Sequence, residues 1–166
     1  MCAAELLSIP HPQSNKRLIA FVETDGCFAD GVSVATGCTM GHRTMRLVDH
    51  GKVAATFVDT ISGKALRCCP RPDVRVRAAA LAESKSRWHA QLEAYQVMPE
   101  EDLLLVQEVA ISFDLGAIVG KPGRRTACSV CGEEIINQRE VVENGQTICR
   151  SFAGDKYWSL KKGNGS

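Results

Sequence analysis

The sequence is poor in aromatic residues: Phe, Trp and Tyr make up 5% of its 166 positions. Base-stacking platforms are built from such rings, so single-stranded nucleic-acid binding has little support. A dominant charge is missing as well. Twenty Lys and Arg stand against 19 Asp and Glu, for a formal net charge of +1. No global field marks the chain for duplex nucleic acid or for a membrane surface. Basic groups do gather locally, at Arg67, Arg71, Arg75 and Arg77 and again at Lys121, Arg124 and Arg125. Solvated helix and loop faces produce the same pattern. No apolar run reaches the ~18 residues of a membrane-spanning helix. Met1–Pro10 has neither the basic leader nor the long apolar core of a secretory signal. There is no glycine-rich dinucleotide fingerprint and no four-cysteine cluster-binding run. These absences point to a cytoplasmic protein with no redox centre of its own.

Cysteine, by contrast, is plentiful, with eight in the chain. In a reducing compartment such residues serve as metal ligands or reactive thiols more often than as disulfides. The clearest pattern is Cys128-Ser-Val-Cys131 followed by Cys149-Arg-Ser-Phe152. Two Cys-x-x-Cys knuckles at this separation would make a zinc ribbon. Here Phe152 stands where a fourth thiolate belongs, so Cys128, Cys131 and Cys149 leave one tetrahedral position to water, to a neighbouring group or to partial occupancy. A second concentration lies in Thr24–His42, with Asp25, Cys27, Asp30, Cys38 and His42 among glycines 26, 31, 37 and 41. Cys27, Cys38 and His42 offer two thiolates and an imidazole, a donor set that suits zinc. The alternative is that both cysteines are core residues and His42 a turn residue. Cys68 and Cys69 are adjacent and would point to opposite faces of a strand, so they and Cys2 read as small apolar residues.

The hydrophobic pattern predicts a buried strand at 18–23 and a short helix at 29–37. Strands at 43–48 and 52–59 would form a hairpin around Asp49-His50-Gly51, with another strand at 64–69. Asp73 reads as the N-cap of one long helix to about Tyr95. Its apolar stripe would be Val74, Ala78, Leu81, Trp88, Leu92 and Tyr95. Leu103–Phe113 is strand-like, 120–123 reads as a linker, and Asn144-Gly145 marks a tight hairpin inside the ribbon. The expected architecture is α+β: a small mixed or antiparallel sheet with packing helices, plus a C-terminal zinc ribbon. Its parts would be an α+β domain over 1–119, the ribbon over 120–158 and a disordered tail over 159–166.

The block from Glu23 to His42, continued by Arg46-Leu-Val-Asp49 and Gly51–Asp59, resembles the FmdE family of formylmethanofuran dehydrogenase proteins. The segment Cys128–Ile136 with Cys149 resembles the C-terminal zinc finger of many members. The resemblance runs from about Lys16 to Gly154. It implies a dimer in which long helices are shared or swapped between subunits, and metal near Cys27, Cys38 and His42. Members usually begin with a His-x-His-x-Cys-Pro-Gly segment, and nothing before Lys16 matches it, so an N-terminally shortened chain is the expectation. The function implied is a zinc-binding accessory protein with one or two ions per chain. Its partners would be a second copy and a molybdenum or tungsten dehydrogenase complex. Two other readings stay open. One is a transcription-associated regulator with a ribbon of the TraR/DksA type. The other is a hydrolase or lyase using metal at Cys27, Cys38 and His42, with Asp25 or Asp30 as general base.

Overall fold

The structure, a computed structural model, describes Leu7, Ile9 and residues 16–81, 86–119 and 123–159. The helix expected over Cys2–Leu7, most of the linker at 120–123 and nearly all of the tail fall outside the described residues. The chain divides into two compact units, Met1–Phe113 and Asp114–Ser166.

The first unit is α+β. Strand β1 (Leu18–Val22) is Leu-Ile-Ala-Phe-Val and is buried along its whole length. A strand apolar on both faces belongs in the middle of a covered sheet, and β1 lies inside the five-stranded order β2-β1-β3-β4-β5. Helix α1 (Cys27–Thr36) follows, and its residues Ala29, Val32 and Thr36 are buried. Gly37 ends it in the left-handed conformation (φ 72°), and its N–H donates to the Ser33 carbonyl. The chain then returns as β2 (Met45–Leu47), parallel to β1 with Ala20 opposite Met45. Strands β3 (Ala55–Asp59), β4 (Ala65–Pro70) and β5 (Leu104–Val109) extend the sheet antiparallel on the other side.

This order corrects the hairpin expected between 43–48 and 52–59. β2 and β3 flank β1 on opposite sides and do not pair with each other. The Asp49–Lys52 turn wraps around the end of β1 instead: His50 and Lys52 donate their N–H groups to the Glu23 carbonyl at 3.0 and 3.2 Å. Gly51 does take a positive φ, 62°.

The long helix is corrected too. The structure has α2 (Val74–Leu81) and α3 (Arg87–Val97). Val74 and Ala78 share one buried cluster with Ala94 and Met98. In a single straight helix, residues 74 and 94 would stand about 30 Å apart, so the two helices must lie side by side. The buried face of α3 is Ala90 and Ala94; Trp88 and Leu92, expected in the core stripe, are exposed. A one-turn helix, α4 (Glu100–Leu103), leads into β5.

Two ion pairs brace the sheet. Glu23, at the end of β1, reaches past β3 to Arg67 on β4 and accepts two hydrogen bonds at 2.6 and 2.8 Å. At the other end Arg17 donates two bonds of 3.1 Å to Asp59. Among the described residues no helix is long and apolar enough to cross a membrane.

Candidate metal centre

The second unit carries helix α5 (Leu115–Val119) and two hairpins, β6–β7 (Arg125–Ala127, Glu134–Ile136) and β8–β9 (Val141–Glu143, Gln146–Ile148). Asn144 (φ 50°) and Gly145 (φ 77°) make the turn of the second hairpin, as an Asn-Gly pair with two positive φ values should.

Cys128 to Glu133 close the first hairpin as a knuckle. The Cys128 N–H donates to the Glu133 carbonyl, and the Gly132 N–H to the Cys128 carbonyl, both at 2.9 Å. Gly132 turns the chain with φ 75°. The Ser129 N–H donates to the Thr147 carbonyl of β9 at 2.8 Å, which ties this knuckle to the strand that delivers Cys149. The sulfurs of Cys128, Cys131 and Cys149 then lie within 4.8 Å of one another. Tetrahedral zinc–thiolate bonds of ~2.3 Å put sulfurs about 3.8 Å apart, so a small contraction would seat an ion. The chemistry of the donor set and its convergence both fit a zinc-type metal.

The backbone prepares the site for negative charge. Amides of Cys131, Cys149 and Val130 point at the Cys128 sulfur and, against the opposing effect of burial, lower its pKa to about 6. The Cys149 N–H stands 3.3 Å from that sulfur. The Glu133 amide favours the Cys131 thiolate, yet burial and the neighbouring thiols outweigh it and push Cys131 up to about 11. Without a cation the cluster holds one negative charge easily and resists a second; a divalent ion removes that resistance.

Phe152 sits in the turn after Cys149, its N–H donating to the Cys149 carbonyl at 3.0 Å. Instead of a ligand it supplies a ring. Lys156 Nζ lies 4.9 Å from the Phe152 centroid and 4.1 Å from that of Trp158, a cation–π clasp. The spacing of Phe152, Lys156 and Trp158 was the available cue for this clasp, and the ribbon pattern overshadowed it.

The other three candidates are placed differently. Cys27 is the first residue of α1 and exposed. Cys38 is 1% exposed, and its thiol donates to the Leu18 carbonyl at 3.6 Å. His42 is exposed in the following turn, its N–H donating to Thr39 Oγ1. Asp25 and Asp30 are exposed. Among the described residues only Cys128, Cys131 and Cys149 converge as a group of three metal-binding side chains.

A family model described as "FmdE, Molybdenum formylmethanofuran dehydrogenase operon" matches residues 1–105. A crystal structure of an FmdE-like protein of tungsten formylmethanofuran dehydrogenase, from Syntrophus aciditrophicus, shares the fold. Its TM-score is 0.58 at 20% identity, with 94% of this chain and 90% of that one covered. A curated Archaeoglobus fulgidus protein, "Probable S-adenosyl-L-methionine-binding protein", is 44% identical over 50 residues. That match covers 30% of this chain and 14% of the relative, so the chain spans only a small part of the relative's length.

Proposed function

From the premise that this chain belongs to the FmdE family, we propose that it is a zinc-binding accessory protein of the cytoplasm. It serves a molybdenum or tungsten dehydrogenase related to formylmethanofuran dehydrogenase. The observation that carries the metal-binding part is the convergence of Cys128, Cys131 and Cys149 within 4.8 Å. The zinc would hold the two knuckles together, with its fourth position left to a ligand from outside the three cysteines. The accessory role draws support from the family alone. A homodimer with exchanged helices draws support from the exposed apolar side chains of α2 and α3, among them Val76, Trp88 and Val97.

A second ion on Cys27, Cys38 and His42 would require Cys38 to leave the core, so one ion per chain is the expected stoichiometry. Elemental analysis of the purified chain tests this. The reading expects about one zinc per chain, lost in Cys128→Ser and retained in Cys38→Ala. A chain that stays metal-free after incubation with zinc would overturn it. Co-purification with the dehydrogenase subunits tests the accessory role separately.

A further inference from the structure

A cleft of about 580 Å³ opens in the first unit, where the end of β4 meets α2 and α3. Pro70, Val74 and Leu104 give it apolar walls, while Arg71, Arg75, Gln91 and Tyr95 put polar groups on its lining. A smaller recess beside it shares Arg75 and Gln91 and adds Arg87.

The local acids do not neutralise these guanidiniums. Asp73 is engaged by Arg77 at 2.7 Å, and Asp102 by the same Arg77 at 2.5 Å. Arg71 Nε stands 3.9 Å from Asp73, and its Nη1 donates to the Glu101 carbonyl at 3.3 Å. Among the described residues Arg75 pairs with no carboxylate. Tyr95 and Gln91 likewise have no hydrogen-bond partner among them. The cleft therefore joins an apolar body of ligand-sized volume to a few polar groups and a net positive edge. Guanidinium forks match carboxylate and phosphate oxygens, and Tyr95 offers an aromatic face beside the apolar wall.

We propose that this cleft binds a small organic anion, a carboxylate or phosphate carried on a flat apolar body. The anionic group lies against Arg71 and Arg75, and the body lies along Val74, Leu104 and Tyr95. All of these residues belong to the first unit, so the inference does not depend on the thiolate centre.

Calorimetric titration of the full chain with benzoate, phenyl phosphate and benzyl alcohol tests it. One anion should bind saturably at one site, and benzyl alcohol at least tenfold more weakly. The preferred anion distinguishes a carboxylate from a phosphate ligand. Arg75→Gln, at an exposed position, should weaken that anion about tenfold or more, with Arg75→Lys between the two. Tyr95→Phe should cost less. If Arg75→Gln fails to fold, the native chain still decides, because its anion affinity must fall as salt rises. Equal binding of benzyl alcohol and the anions overturns the proposal, and so does an affinity indifferent to both Arg75→Gln and salt. A dimer by light scattering that binds neither anion would also overturn it, with a second copy as the occupant of the cleft.

Discussion

Phe152 is the residue on which the ribbon departs from its pattern. It occupies the turn that follows Cys149 and carries the aromatic half of the Lys156 clasp. Replacing it by cysteine, Phe152→Cys, should complete a four-thiolate site and raise zinc affinity at least tenfold. Competition against a chromophoric chelator measures this; an unchanged affinity would mean that the 152 side chain cannot reach the ion. Asp59 makes a second residue-scale prediction. Hydrogen bonds from Arg17, opposed by burial and helped by the Ile61 amide and the Ser62 hydroxyl, lower its pKa to about 2. A carboxylate with a depressed folded-state pKa stabilises the fold at any pH above its ordinary value, near 3.9. That contribution, about 2 kcal/mol, is lost as pH falls from about 4 towards 2. Arg17→Ala should remove most of this acid sensitivity, as seen in denaturant midpoints measured between those pH values.

At the scale of elements, local signals and partner choice separate cleanly. Asn144-Gly145 specifies its turn because both residues tolerate positive φ. Gly145→Ala should therefore destabilise the β8–β9 hairpin by about 1 kcal/mol, measured as a lower melting temperature of the metal-loaded ribbon. β1 was legible for the same local reason, since five consecutive apolar residues can only be buried. The pairing of β2 and β3 was not. Both segments look like strands, and the turn between them suits a hairpin, but β1 buries more by lying between them. The α2–α3 pair failed in a similar way. An apolar stripe continues across a chain reversal without any break in its period. Only contact of Val74 and Ala78 with Ala94 and Met98 shows that the chain has folded back. Small residues then face the partner helix, and the larger Trp88 and Leu92 are left outside.

At the scale of the molecule, the two units rest on different foundations. The first has an extensive core built around β1 and β3, both fully buried. The second buries only Cys128, Ile135 and Ile148 among its described residues, with Val141, Cys149 and Ala153 packed against them. So small an apolar core contributes little, and metal binding supplies folding free energy in such modules. Chelation should therefore abolish amide protection in β6–β9 while leaving β1 and β3 protected, as hydrogen exchange on the whole chain can read. Equal loss in both units would contradict this. The sequence by itself determined the α+β class, the ribbon frame and its three cysteines, because each is written in nearby residues whose chemistry or periodicity is sufficient. The tertiary structure alone decided that Cys38 turns into the core and that Arg71, Arg75 and Tyr95 meet at one cleft. Which distant side chains become neighbours depends on how strands pair and helices pack, and those competitions are settled by total burial over the whole chain.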